Sequence, residues 1–204
     1  MYVICLDLEG VLTPEIWEAV AAASGIEKLK LTTRDIADYD ALMKQRLNIL
    51  RNNNITLNDI QEIITEIDLL PGALEFLDWL RSNVQVIIAT GSFVEFVQPF
   101  AKKLNYPLIF CNNLKIDNTG MIVNYILRLK DMKKKTVKAL KKLKYNVIAV
   151  GDSYNDIRML MEADFGILFR PSANVKKEFP QFPVVSEYSE LKNIISNHLK
   201  LKKL

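Results

Sequence analysis

The chain is poor in residues on which several classes of protein depend. It holds one histidine and two cysteines in 204 residues. Cys5 and Cys111 each lie in an apolar run, so both are expected as buried thiols and not as a disulfide. His198 falls in the lysine-rich tail and reads as surface. No glycine-rich phosphate loop follows the first strand, which argues against a dinucleotide-binding module. No apolar run is long enough to span a bilayer, so no membrane role is expected. Strand-like residues begin at once, with no basic leader and apolar stretch before them, so no signal peptide is expected and a cytoplasmic location is. Aromatics are thin around Lys133-Lys134-Lys135, Lys141-Lys142-Lys144 and Lys200-Lys202-Lys203, so a nucleic-acid partner is not expected. The net charge is only +3, and most of these lysines read as solvated helix surface.

Half of the residues are hydrophobic. That suffices for one good core, or a core with a modest insert. The organising stretch is Val3-Ile4-Cys5-Leu6-Asp7-Leu8-Glu9-Gly10-Val11. Its apolar run predicts a buried strand, ended by a turn glycine. Alternation puts Asp7 and Glu9 on one side of that strand. Ligands of open α/β sheets bind beyond the carboxyl ends of the strands. Two acids there suit a hard divalent cation, and a reaction that needs a nucleophile with an acid/base.

After Gly10 the pattern turns helical. Pro14 is placed to open a helix that Gly25 ends. Residues 33 to 70 read as wholly helical: Asp38 or Asp40 can cap a helix through Arg51, and Thr56-Leu57-Asn58-Asp59 resembles a capping box. Arg46 falls beside the apolar stripe of Leu42, Met43, Leu47 and Leu50, so it borders the buried face. A crossover needs only about a dozen residues. The excess predicts a helical cap, residues 14–70, inserted into an α/β core of residues 1–13 and 71–204. Further strands are expected at Val84–Ala89, Pro107–Phe110, Asn146–Val150 and Phe165–Phe169, with a short one near Val184-Val185. A small β-hairpin flap is expected over Leu114–Arg128, turning at Asp117-Asn118-Thr119-Gly120. The fold class is therefore α/β, a Rossmann-like parallel sheet with helices on both faces.

Three strand ends carry complementary groups. Asp7 and Glu9 follow the first. Thr90, Gly91 and Ser92 follow the second and open a helix expected from Phe93, an arrangement suited to an anion. Asp152, Asn155 and Asp156 follow the strand at 146–150, and the lysine cluster precedes it. Carboxylates from separate strands can hold Mg²⁺ with positions left for phosphate and water. A hydroxyl, amides and a lysine can neutralise the other phosphoryl oxygens. Asp7 would then be the nucleophile, forming an aspartyl-phosphate.

In this order these motifs resemble the haloacid-dehalogenase-like phosphatases, and the helical insertion is similar to the cap of phosphoserine phosphatases. Asp7-Leu8-Glu9-Gly10-Val11-Leu12, Pro14-Glu15-Ile16-Trp17, Thr32-Thr33-Arg34-Asp35-Ile36, Met43-Lys44-Gln45-Arg46-Leu47 and Glu178-Phe179-Pro180-Gln181-Phe182-Pro183 resemble the bacterial branch that also transfers phosphoryl groups from phosphoserine to homoserine. The resemblance implies that Asp7 is nucleophile and metal ligand, and that Glu9 is acid/base near the metal and counted with the metal-binding residues. It implies that Thr90, Gly91 and Lys133 bind phosphate, with Lys133 also counted as catalytic. Asp152 and Asp156 would serve the metal, and Asn155 the substrate or phosphate. Glu15 would meet the substrate amine and Arg46 its carboxylate, which suits an acid and a bidentate guanidinium. Mg²⁺ is the implied cofactor and O-phospho-L-serine the implied substrate, with homoserine as an alternative acceptor to water. The resemblance also admits a homodimer.

Two positions depart from the commoner patterns. Glu9 stands where most of the superfamily has Asp, and Gly91-Ser92 matches neither branch in full, which leaves the acceptor open. Phase alone does not choose among Lys133, Lys134 and Lys135. A glutamate that acts as general acid must keep its proton. Glu9 is therefore expected against apolar cap residues or beside the phosphate dianion, and not in bulk water. A signalling receiver domain is the competing class; it has no use for the large helical insertion.

Overall fold

The structure is a computed structural model; it describes residues 1–32, 36 and 38–201, with the backbone alone at 200 and 201. The first strand is β1 (Tyr2–Leu6). There follow α1 (Ile16–Ser24), a 3₁₀ turn (Glu27–Lys30), α2 (Tyr39–Asn52), α3 (Leu57–Glu66) and α4 (Ala73–Asn83). Then come β2 (Gln85–Phe93), α5 (Val94–Lys103), β3 (Ile109–Ile116), β4 (Ile122–Ile126), α6 (Met132–Lys142) and β5 (Asn146–Gly151). The chain closes with α7 (Ile157–Glu162), β6 (Phe165–Phe169), α8 (Ala173–Glu178), β7 (Val184–Val185) and α9 (Tyr188–Leu201).

The sheet runs β4-β3-β2-β1-β5-β6-β7. Every pairing is parallel except β3 with β4. The chain builds outward from β1 on one side, then returns to build outward on the other. The strand order therefore reverses around β1, which is where such sheets open a binding crevice. Alternation along β1 divides the core. Ile4 and Leu6 join an apolar cluster with α1 to α5 and α9. Val3 and Cys5 join a second cluster with Val137 of α6, Leu160 of α7 and Val175 of α8. Helices cover both faces, and the inserted helices share the first cluster through Val20, Met43, Leu47, Ile60 and Ile64.

Several local expectations hold. Asp38 caps α2 by accepting from Asp40 N and Ala41 N, and Thr56 with Asp59 forms the capping box of α3. Gly25 ends α1 in the left-handed conformation, φ 71°.

Other elements differ from the sequence pattern. Pro14 lies before α1, which starts at Ile16 because Glu9 Oε2 takes the Ile16 amide (3.0 Å). The stretch expected to be helical from 33 to 70 stops at Glu66, and 67–70 is extended or irregular. Thr33, Arg34, Asp35 and Ala37 lie outside the described residues. β2 does not stop at Ala89. It shifts register and stays extended to Phe93, held by pairing with Asn112 of β3, so α5 begins at Val94. The hairpin is present, but its first strand is the far half of β3, which pairs parallel to β2 and then antiparallel to β4. His198 does not stand free at the surface. Its ring stacks on Phe165 (4.4 Å between centroids) and meets Tyr2 edge-on.

Candidate active site

The carboxyl ends of the three central strands, β2, β1 and β5, supply the site. Asp7 continues β1 by one residue, its amide bonded to Val150 O (2.9 Å), and the residue is 3% exposed. Leu8 N (2.8 Å) donates to Asp7 Oδ1, and Lys133 Nζ lies 2.9 Å from the same oxygen. The backbone then turns sharply, with Leu12 N and Thr13 N bonded to Leu8 O and Gly10 N to Thr13 O. Gly10 has φ +77°, and a Cβ there would fall 2.5 Å from Asp152 Cγ. Glycine thus lets the first turn close onto the acid that follows β5. Gly151 does the same for Asp156, whose Cβ would lie 2.4 Å from a Cβ at 151.

Asp156 is fully buried. Its Oδ1 takes Lys133 Nζ (2.7 Å), and its Oδ2 takes the amides of Asp152 and Ser153 (3.2 Å each). Lys133 also donates to Asn155 Oδ1 (2.7 Å). Of the lysine run, Lys133 is the one that faces these acids: Lys134 pairs with Glu162, and Lys135 is exposed.

Three acids crowd one lysine, and the electrostatics record it. Burial, then Asp156, push Asp7 well above the usual carboxylate range against the pull of Lys133. Burial and Asp156 push Asp152 up to about 7. Oxygens of Asp7, Asp152 and Asp156 lie within 4.8 Å of one another. Asp152 Oδ1 is buried with no hydrogen-bond partner among the described residues. An orphaned carboxylate oxygen beside two further acids, all hard oxygen donors, fits a small divalent cation. Glu9 stands outside this cluster, half-buried, at the start of α1.

A cavity of about 420 Å³ opens above these groups. Asp7, Glu9, Glu15, Arg46, Thr90, Gly91, Lys133, Asp152 and Asn155 all line it, and Asp156 lies beneath. All ten expected residues are thus brought to one place. Thr90 is buried and its Oγ1 accepts from Ser92 N (3.1 Å). Glu15 lies against Glu9. Burial, then the Glu9 charge, push Glu15 up to about 8. Arg46 is 7% exposed. Its Nη2 donates to Leu31 O (2.7 Å), while Nε has no partner among the described residues. Burial lowers the guanidinium to about 10, so it is still charged at neutral pH.

The cavity also holds residues that the motifs did not single out, Tyr39 and Arg170 among them. Tyr39 shares the inner face of α2 with Leu42 and Arg46; the i, i+3, i+7 spacing carried that signal. Arg170 follows Phe169 at the end of β6, and the strand-end rule points to it too.

The model of the haloacid dehalogenase-like hydrolases matches residues 1–164. The chain belongs to the haloacid dehalogenase-like hydrolases. Among relatives of this hydrolase is the phosphoserine phosphatase ThrH of Pseudomonas aeruginosa, 55% identical over 192 residues and 94% of each chain. The phosphoserine phosphatase of Pseudomonas syringae pv. tomato is 55% identical over 92% of this hydrolase and 79% of its own length. Among solved structures, a phosphoserine phosphatase from T. onnurineus superposes with a TM-score of 0.75 at 25% identity, covering 96% of this chain and 94% of its own. A phospho-aspartyl intermediate analogue of phosphoserine phosphatase shares the fold, with a TM-score of 0.75 at 20% identity over 95% of this chain and 98% of its own. Among the described residues, no helix is long and apolar enough to cross a membrane.

Proposed function

We propose that this hydrolase is a Mg²⁺-dependent phosphatase that converts O-phospho-L-serine to serine and phosphate through an aspartyl-phosphate on Asp7. The observation that carries the reading is the lining of one cavity. It gathers Asp7 against Lys133 and the acid cluster together with Arg46 and Glu15. A phosphate monoester with a carboxylate and an ammonium matches both sets. Residues 14–70 serve as the cap over residues 1–13 and 71–204.

Asp7 Oδ1 is held by the Leu8 amide and Lys133, which orients the carboxylate and leaves Oδ2 to attack phosphorus. The new P–O bond forms on Asp7 as the bond from phosphorus to the serine oxygen breaks, and Glu9 gives that oxygen a proton. Water then attacks the same phosphorus, Glu9 takes back a proton, and phosphate leaves with Asp7 restored. Lys133, Thr90 and the Gly91 backbone hold the phosphoryl oxygens while the charge shifts. Asp7 and Asp152 would hold Mg²⁺, with Asp156 bracing the shell through Lys133 and the turn amides. When bound, the ion neutralises phosphoryl charge as a Lewis acid. Glu9 is half-buried, with its Oε2 held by the Ile16 amide at the start of α1. Arg46 Nε, buried and without a partner among the described residues, gains an acceptor when a carboxylate reaches it.

The test is a panel of phosphomonoesters with Mg²⁺, wild type against Arg46→Ala. A charge-assisted hydrogen bond contributes about 1.5–3 kcal/mol, so a loss of roughly ten- to hundredfold is expected on phosphoserine alone. Equal losses on phosphoserine and a generic aryl phosphate would refute the reading. A parallel reaction with homoserine reads the acceptor, with phosphate expected as the main product.

A further inference from the structure

We propose that Trp17 is a positioning residue that fixes Arg46 at a set distance from the phosphate-binding residues of the cavity; this rests on the reading of Arg46 as the carboxylate reader. The Arg46 guanidinium carbon lies 4.4 Å from the centre of the Trp17 ring. Among the described residues, its only strong hydrogen bond is at one corner, from Nη2 to Leu31 O, and the Nη1 contact to Met43 Sδ is long, at 3.9 Å. A long side chain pinned at one corner can pivot about that bond. A ring across the face of the guanidinium blocks the pivot, and cation–π attraction favours the stacked pose.

Trp17 is itself held from the sheet. Its ring meets Phe96 of α5 edge-on (5.6 Å), and Phe96 meets Phe93 edge-on (5.7 Å). Phe96 and Phe93 are buried, and Phe93 is the last residue of β2, the strand that also carries Thr90. A chain of packed rings therefore runs from the phosphate-binding strand to the guanidinium on α2. It makes the spacing between the two a property of the core and not of the cap alone. Such a spacer selects substrates by the distance between phosphate and carboxylate.

The experiment is a double-mutant cycle of Trp17→Leu and Arg46→Ala, with kcat/KM measured on phosphoserine and on phosphoethanolamine, which differs by loss of the carboxylate. Trp17→Leu is expected to lose about tenfold more on phosphoserine than on phosphoethanolamine. That excess is expected to vanish in the Arg46→Ala background, because the two act as one unit. Should the Leu variant fail to fold by circular dichroism, Trp17→Phe carries the same comparison, with an excess of about threefold expected. Equal losses on both substrates, or an excess that persists without Arg46, would overturn the inference. If Arg46→Ala alone shows no excess on phosphoserine, the carboxylate reading itself falls, and that result is distinguishable from the others.

Discussion

Lys133 Nζ and Asp7 Oδ1 form a buried ion pair at 2.9 Å, joining the start of α6 to the end of β1. Burial alone would lower the lysine's pKa, but Asp156 and Asp7 outweigh it and keep the ammonium charged. Removing one partner of such a pair strands a charge in a dry interior. Lys133→Met is expected to destabilise the metal-free protein by about 3–5 kcal/mol. It is also expected to lower kcat by roughly a hundredfold or more, since a phosphoryl-stabilising donor goes with it. Urea denaturation and phosphate release check the two effects. Wild-type turnover in this variant would remove Lys133 from the site.

Gly10 makes a second test at the same place. Alanine would sit at φ +77° with its Cβ 2.5 Å from Asp152 Cγ. The backbone strain alone costs about 1–2 kcal/mol. Asp152 must also move, and it would hold the cation. Gly10→Ala is therefore expected to raise the Mg²⁺ concentration needed for half-maximal activity by about tenfold, with the protein still folded. An unchanged Mg²⁺ requirement would separate Asp152 from metal binding.

Glu15 yields a pH prediction. Burial, then Glu9, raise its folded pKa from 4.5 to about 8. Between those values the folded state keeps a proton that the unfolded chain has released. Stability is therefore lost as pH rises through this window. Glu15→Gln cannot titrate. In metal-free buffer its melting temperature is expected to match wild type near pH 4, to exceed it increasingly toward pH 8, and to hold that margin above. A difference independent of pH would contradict the raised pKa of Glu15.

The cysteines provide a fourth test. Burial pushes the Cys5 thiol up to about 12 and raises Cys111 as well. Neither offers thiolate at neutral pH, and the thiolate is the reactive form. Iodoacetamide is expected to spare both in the native protein and label both in urea, read by peptide mass. Rapid native labelling of Cys5 would show that β1 opens readily.

Local rules reached far into this fold. The parallel sheet and the clustering of Asp7, Thr90 and Asp152 at one edge of it followed from apolar runs that end in polar residues. These are effects of one strand end at a time, so sequence displays them. Which lysine turns inward was not legible, because Lys133, Lys134 and Lys135 begin one helix and only tertiary contacts with Asp7 and Asp156 distinguish them. The length of β2 was not legible either, since Phe93 stays extended through a pairing with Asn112 far along the chain. His198 looked solvated because its sequence neighbours are lysines; its partner Phe165 comes from another element. Tyr39 was missed although its spacing from Arg46 was visible, for a tyrosine on an apolar stripe reads first as packing.

The central claim is that Asp7 carries the phosphoryl group. Acid-quench the enzyme during turnover of phosphoserine with Mg²⁺, digest it, and locate a hydroxylamine-labile phosphoryl group by mass spectrometry. The account predicts the group on the peptide that contains Asp7, and its absence from Asp7→Asn. Phosphate released steadily with that peptide never modified, or a phosphoryl group found on another residue, would contradict it.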